Sequence, residues 1–196
     1  MLNKIEVVIE KAMDLTGKIL VAMPEMGDPR FSSAVIFMCS HSKSGAMGLT
    51  INKPSDRHSF SDLLKQLRIE VYPHTPDLPV NIGGPVEAGR GFVLHSPEYD
   101  SGEGTLKIGS DYGMTASFEV LEELSKGEGP DKGILALGYS GWGPGQIEDE
   151  IAMNGWLVSE ASEDLIFGSD NNNKWTNALK LMGVDPIHLS NSVGRA

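Results

Sequence analysis

The amino-acid sequence predicts an α+β fold built around a mixed β-sheet. Eight short apolar runs have the length of β-strands, whereas only four stretches carry a stripe of apolar residues at helical period. Several strands precede each helix, which disfavours the regular strand–helix alternation of a doubly wound fold. With 196 residues, of which 40% are hydrophobic, the chain can bury its own core, and no repeat or linker divides it. We therefore expect one domain over residues 1–196.

The predicted strands are apolar runs bounded by glycine, proline and polar residues. They span residues 18–23, 34–39, 46–52, 79–82, 91–95, 105–108, 134–139 and 155–159. The chain has 23 glycines, which cluster at the junctions between these runs. Glycines in such places typically form tight turns, bulges or close backbone contacts.

Four amphipathic helices are predicted, the first within residues 1–16. Their apolar stripes are Ile5, Val8, Ile9 and Ala12; Leu63, Leu64 and Leu67; Phe118, Leu121 and Leu124; and Trp175, Ala178, Leu179 and Met182. Ser61 and Ser117 are the expected N-caps of the second and third helices. Gly127 and Gly183 are expected to end the third and fourth.

Composition excludes several classes of protein. The net charge of −11 argues against binding to phosphate backbones or anionic lipids, both of which favour lysine and arginine. The single cysteine, Cys39, excludes an intramolecular disulfide or a multi-cysteine metal site. The longest apolar run, residues 34–39, is far shorter than the roughly 20 residues that span a bilayer. Charged residues interrupt the N-terminus, which lacks the apolar region of a signal peptide. We therefore expect a cytoplasmic protein with a reduced thiol.

The negative charge is concentrated in the second half of the chain. Residues 1–98 hold 10 basic and 11 acidic side chains, whereas residues 99–196 hold 6 basic and 16 acidic. The acids are interleaved with apolar residues and form no run of five like charges, as expected for solvated helix faces. The same half would also suit a basic protein partner.

Four segments have the length and order of family motifs. They read AMPEMGDPRFSSAVIFMCSHSKSGAMGLTINKP, IGGPVEAGRGFVLH, LGYSGWGPGQIEDEIAMNGWL and KWTNALKLMGVD. Together they resemble the AlgH/YqgE family of bacterial proteins, and the resemblance runs from about Gly17 to Ala196. It implies a bent mixed sheet, partly closed into a small barrel and surrounded by helices. Some family members are labelled transcriptional regulators, and the resemblance implies no enzymatic activity.

Cys39 and His41 are candidates for thiol chemistry. Two residues apart on a strand, they are expected to share one face, and His95 follows another strand. A Cys–His pair is the start of a thiol nucleophile or of a soft metal site. The alternative interpretation is a buried structural cysteine, because Cys39 ends a continuous apolar run and free cysteine is among the most buried residue types.

The glycine-rich segment from Gly138 to Gln146 allows two interpretations. GYSGW resembles the nucleophile elbow between a strand and a helix, but Trp142 stands where that turn needs a small residue, which disfavours Ser140 as a nucleophile. GWGPGQ resembles a phosphate loop without its lysine, and the acids at 148–150 would repel an anion. A tightly turned helix start, with Ile147 and Ile151 facing the core, fits better. Trp142 is either a packed anchor or a stacking surface.

The segment from Asn81 to His95 combines a basic side chain with a flexible backbone. Gly84 lies in a predicted turn, and Arg90 stands between two glycines. Arg90 could bind a carboxylate or phosphate, although pairing with an acid of the C-terminal half is favoured. Asn52 is expected in a turn after a strand.

Two functions from different classes fit these residues. We favour a non-enzymatic protein that regulates by binding a small ligand or a protein partner; direct DNA binding is disfavoured because no helix is basic. The alternative is a thiol-based redox sensor or enzyme that uses Cys39 with His41 and His95. The residues expected in one candidate cleft are Cys39, His41, Asn52, Gly84, Arg90, His95, Trp142 and Gln146. Neither a catalytic set, a metal nor a cofactor is predicted.

Overall fold

The computed structural model describes residues 14–189, and the apolar stripe predicted for the first helix lies outside this range. The strands are β1 (Lys18–Ala22), β2 (Val35–Ser42), β3 (Gly45–Thr50), β4 (Val80–Ile82), β5 (Val86–His95), β6 (Thr105–Ile108), β7 (Tyr112–Thr115), β8 (Gly133–Trp142) and β9 (Trp156–Glu160). All eight predicted strands are present. The sequence interpretation missed β7, whose four residues include a glycine and no apolar run.

All these strands form one curled sheet. Their order is β6–β7–β5–β8–β3–β2–β1–β9, and β4 pairs with β8 beside this path. The β4–β8 pairing is parallel, whereas the other pairings are antiparallel. The sheet curls into a half-barrel, which confirms the predicted α+β class with a bent mixed sheet.

The described helices are α1 (Phe60–Gln66), α2 (Phe118–Lys126), α3 (Gln146–Ala152), α4 (Glu163–Phe167), α5 (Lys174–Leu181) and α6 (Pro186–Leu189). The predicted cap of α1 at Ser61 is wrong. Phe60 is buried and already helical, so Ser59 is the cap, and its hydroxyl accepts a hydrogen bond from the Asp62 amide at 3.1 Å. Gly127 ends α2 in the left-handed conformation, as predicted.

Three hydrophobic cores pack against the sheet. The central core joins β1, β2, β5 and β8 to α4 and α5. The α3 core lies on the opposite face of β1 and β2 and includes Ile147, Trp142 and Trp156. The α1–α2 core covers Val93 of β5 and Leu135 of β8. The predicted apolar stripe of α2 is rotated in the structure, because Val120 and Leu124 are buried while Phe118 is exposed.

A β-bulge in β2 changes which face its side chains occupy. Met38 pairs with Gly48 and Ser40 pairs with Met47, so Cys39 is the extra residue between them. Cys39 belongs to the central core. His41 pairs with Ala46, which packs against the α3 core on the other face. The expectation that Cys39 and His41 share a face is therefore wrong, because a bulge breaks strand alternation.

Gly138 produces a similar switch in β8. Its φ of 70° lies in the left-handed region, and a Cβ there would lie 2.5 Å from the Gly84 carbonyl oxygen. Before it, Ile134 and Ala136 belong to the central core; after it, Trp142 belongs to the α3 core. The switch directs the end of β8 towards α3.

Between residues 14 and 189, none of the helices combines the length and apolar character needed to cross a membrane.

Candidate functional site

A cleft of about 770 Å³ lies where the ends of β8 and β9 meet α3 and the short 3-10 turn Pro29–Phe31. We call it the tryptophan cleft. Its lining residues are Met23, Glu25, Met26, Gly27, Asp28, Arg30, Phe31, Pro85, Ser140, Gly141, Trp142, Gln146, Glu150, Met153, Asn154, Gly155, Trp156 and Leu189. The volume is within the range of roughly 300–1,000 Å³ that small-ligand sites occupy.

Glu150 organises the polar part of the tryptophan cleft. The indole N–H groups of Trp142 and Trp156 both donate to its Oε2 atom, at 3.0 and 2.8 Å. The Gln146 amide nitrogen donates to its Oε1 atom at 3.0 Å. Because Gln146 and Glu150 are four residues apart, both lie on one side of α3. The carboxylate thereby fixes two tryptophans from different strands against one helix.

The aromatic rings pack edge to face around this carboxylate. The Trp142 and Trp156 centroids are 6.2 Å apart at 82°, and Phe31 meets Trp156 at 5.7 Å and 70°. Both tryptophans are buried, while Met153 at the rim is 73% exposed. Trp142 is therefore a packed anchor, the first of the two interpretations left open by the sequence.

Gln146 also shapes the start of α3. Its side-chain oxygen accepts a hydrogen bond from the Gly143 amide at 3.0 Å, and Ile147 below it is buried. This is the tightly turned helix start that the sequence favoured over a phosphate loop.

Ser140 has a hydroxyl without a partner. The residue is 2% exposed and its Oγ atom makes no hydrogen bond. It lies on the same face of β8 as Trp142, two residues away, and lines the cleft. A strand followed by a helix is present here as predicted, but Ser140 pairs with Gly48 inside β8 and does not stand at the turn where a nucleophile elbow places its serine.

An ion pair lies at the entrance of the cleft. The Asp28 carboxylate accepts from Nε of Arg30 at 3.0 Å and from Nη2 at 2.6 Å. The side-chain hydrogen bond from Arg30 is the main reason why the pKa of Asp28 is lowered. Glu25, also at the rim, is exposed.

The structure places Cys39 and His41 outside the cleft. Cys39 is buried in the central core, and burial raises the pKa of its thiol strongly. His41 accepts the Leu15 amide at Nδ1, 3.2 Å away, which leaves Nε2–H to donate to Glu148 at 2.9 Å. His41 therefore ties β2 to α3 and has no contact with the thiol.

His95 lies in a sealed cluster at the other end of the sheet. It is fully buried, with Nδ1 2.8 Å from the Ser96 carbonyl and Nε2 2.9 Å from the Thr115 hydroxyl. The Thr115 hydroxyl is 2.7 Å from that of Thr105, which continues the chain. Burial is the main cause that lowers the pKa of His95. We call these residues the His95 cluster.

The remaining predicted residues have local structural contacts. Asn52 is buried; it accepts the Val35 amide and donates to the Ser33 carbonyl, both at 2.8 Å. A Cβ on Gly84 would lie 2.1 Å from the Tyr139 carbonyl carbon, so this turn packs directly against β8. Arg90 is exposed and pairs with Glu87 at 3.2 Å, not with an acid of the C-terminal half, because the two residues flank one irregular stretch of β5.

Of the eight predicted residues, the structure brings Trp142 and Gln146 together in the cleft. The sequence interpretation missed Trp156 and the central role of Glu150. The four-residue spacing of Gln146 and Glu150 was a usable signal, since it predicts a shared helix face. Among the described residues, no three histidine, cysteine or acidic side chains form a group that could hold a metal ion.

Comparison with known proteins gives consistent matches over nearly the whole chain. A family model described as AlgH-like matches residues 19–187. A UPF0301 protein of Cereibacter sphaeroides (strain KD131) is 50% identical over 184 residues, which cover 94% of this chain and 100% of the relative. A UPF0301 protein of Ruegeria pomeroyi is 53% identical over 185 residues, again 94% of this chain and 100% of the relative.

Two solved structures have the same fold. The solution structure of the AlgH protein from Pseudomonas aeruginosa matches with a TM-score of 0.76 and 36% identity, covering 94% of this chain and 97% of the other. The crystal structure of a Corynebacterium diphtheriae protein matches with a TM-score of 0.71 and the same coverage. At 20% identity, the second supports the fold alone.

Proposed function

The chain belongs to the AlgH-like family, and from that premise we propose that it is a non-enzymatic binding protein. Its tryptophan cleft takes an apolar group of a small ligand or of a protein partner. The observation that carries this proposal is the pair of tryptophans that both donate to Glu150 beside the unpartnered Ser140 hydroxyl. The cleft combines this aromatic and methionine surface with convergent polar groups, and concave sites of such mixed lining orient a ligand through their polar groups.

The cleft supports binding better than catalysis. A serine nucleophile needs a base within hydrogen-bond reach, and the Ser140 hydroxyl makes no hydrogen bond. His41 and His95 have their ring nitrogens committed to other groups. Three hydrogen bonds to the Glu150 carboxylate hold it in place for positioning the tryptophans.

The alternative of a thiol sensor or enzyme built on Cys39 has no such support. Its thiol is buried, the raised pKa disfavours the reactive thiolate, and the bulge separates it from His41. Fast alkylation of Cys39 in the native protein would be needed to support this alternative.

We place the protein in the cytoplasm and assign any regulatory role to ligand or protein contacts. Direct DNA binding is disfavoured because each helix between residues 14 and 189 carries at most one exposed lysine or arginine. The net charge of −11 opposes association with phosphates. Specific, salt-dependent binding of duplex DNA at physiological salt would contradict this part of the proposal.

The proposed function is tested with a neutral apolar probe, phenylbutanol, added to ¹⁵N-labelled protein. The indole N–H signals of Trp142 and Trp156 report on the cleft and should shift with saturation. The indole of Trp175 donates to the Ala22 carbonyl at 2.8 Å and serves as an internal control, because it does not line the cleft. Unchanged Trp142 and Trp156 signals up to millimolar probe would contradict binding in this cleft.

A further inference from the structure

We propose that the tryptophan cleft selects an amphipathic cation, meaning an ammonium or guanidinium group attached to an apolar body. This inference rests on the proposed function and names the class of ligand for the same cleft. A small organic amine and a lysine or arginine side chain of a partner segment share this chemistry.

The charges of the cleft favour a cation. Three carboxylates line it, on Glu25, Asp28 and Glu150, against one guanidinium, on Arg30. Arg30 is held by Asp28 through its Nε and Nη2 groups, so these two charges are paired with each other. The charges of Glu25 and Glu150 have no cationic partner among the lining residues, and an anionic ligand would meet both.

The apolar surface suits the body of such a ligand. Met23, Met26 and Met153 line the walls, and thioethers adapt to ligands of different shape. Phe31 also lines the cleft, and the Arg30 guanidinium lies 5.8 Å from the centre of its ring, as expected for an aromatic face that attracts cations. A ligand with a long apolar stem and a charged end would match both parts of the cleft.

The Ser140 hydroxyl is an independent indication of a ligand. Buried polar atoms without partners are uncommon in folded proteins, and the Oγ atom of Ser140, a residue that lines the cleft and is 2% exposed, is one of them. A hydroxyl oxygen can accept a hydrogen bond from an ammonium or guanidinium N–H. The unpartnered oxygen and the excess carboxylates therefore favour the same ligand class.

The test compares two probes with a similar apolar body and opposite charge, phenylbutylamine and phenylbutyrate. Each is titrated into ¹⁵N-labelled full-length protein at low salt, with Trp142 and Trp156 as reporters and Trp175 as control. We expect the amine to bind about tenfold more tightly than the acid, and added salt to reduce this difference. Equal or tighter binding of phenylbutyrate overturns the inference but leaves the proposed function standing. If neither probe nor phenylbutanol shifts the cleft signals, both fail.

Variants separate the cleft from the general negative charge of the protein. Glu25→Gln at the exposed rim and Glu150→Gln at the floor should each weaken phenylbutylamine binding about threefold or more. Asp149→Asn removes the same charge from an exposed position of α3 outside the cleft lining, and should change the affinity by less than about twofold. An equal loss in all three variants would assign the preference to bulk charge and overturn the inference. Because Glu25 is exposed, its variant keeps the test valid if Glu150→Gln disturbs the fold.

A second arm identifies the source of the ligand. The unlabelled peptides acetyl-Ala-Leu-Lys-Leu-Ala-amide and acetyl-Ala-Leu-Glu-Leu-Ala-amide are titrated in the same way. Tighter binding of the lysine peptide than of phenylbutylamine indicates a partner segment, and the reverse indicates a small amine. A glutamate peptide that binds as well as the lysine peptide overturns the charge preference.

Discussion

The tryptophan cleft and the His95 cluster both combine buried polar side chains with aromatic neighbours. They differ in whether every polar group has a hydrogen-bond partner inside the protein. Around His95, the ring nitrogens and the Thr115 hydroxyl find partners inside the protein. In the cleft, the buried Ser140 hydroxyl has none, and Ser140 lines a space of about 770 Å³. A buried histidine with a lowered pKa is therefore insufficient to indicate a site in this protein, and our proposal for the cleft depends on its space together with the unpartnered Ser140 hydroxyl.

The largest expected effect is on the rate at which an alkylating reagent reacts with Cys39 in the central core. Cys39 is 1% exposed and burial raises its pKa, so iodoacetamide should label it at least about a thousandfold more slowly in native protein than in urea. The matched control is Cys39→Ala combined with Met153→Cys, which places the thiol at the cleft rim. If Cys39 in the native protein were labelled as fast as the thiol at position 153, the contrast between a buried core and an open cleft would be wrong.

The next effect is steric. A Cβ on Gly113 would lie 2.3 Å from Cε1 of His95, and the buried ring has no room to move. We expect Gly113→Ala to lower the free energy of unfolding by about 3 kcal/mol, measured by urea denaturation. Gly143→Ala, in the turn between β8 and α3, is the control, because its Cβ would meet nothing closer than the Gln146 oxygen at 3.9 Å. Similar losses in both variants would contradict the contrast in packing.

Acid should destabilise the His95 cluster. Burial lowers the pKa of His95 in the folded protein, so below its ordinary value of about 6.5 the unfolded chain binds more protons. The stability that neutral His95 contributes is present above that pH and is lost as the pH falls towards the folded pKa. Compared with His95→Gln, wild-type protein should therefore lose unfolding free energy more steeply between pH 7.5 and 5. Parallel pH profiles of the two proteins would argue against a buried neutral imidazole.

The smallest effect compares two hydroxyls. Thr115→Val removes a group bonded to both His95 and Thr105 and should cost about 1–3 kcal/mol. Ser140→Ala removes a hydroxyl without a partner, so the free energy of unfolding should stay within about 0.5 kcal/mol or rise. Thermal unfolding of both variants measures the difference, and a large loss in Ser140→Ala would indicate an internal partner for its hydroxyl.

The sequence predicted the architecture better than the site. Apolar runs gave every strand except β7, because burial of a strand is encoded in consecutive residues. Trp142 and Gln146 were predicted from their glycine-rich loop, and both line the tryptophan cleft. Trp156 was missed because its contact with Glu150 depends on how β9 returns to α3, which local patterns do not encode. The pairing of Cys39 with His41 failed for a related reason, since a bulge leaves little trace in sequence.

The face switch at Gly138 has a consequence for folding cooperativity. Ordinary alternation before it places Ala136 in the central core and Leu135 in the α1–α2 core, and the switch adds Trp142 to the α3 core. Local opening of β8 would expose side chains of all three cores at once. The part of β8 that forms a wall of the cleft should therefore open only when the whole sheet unfolds. Amide hydrogens along β8 should then exchange at the rate of global unfolding.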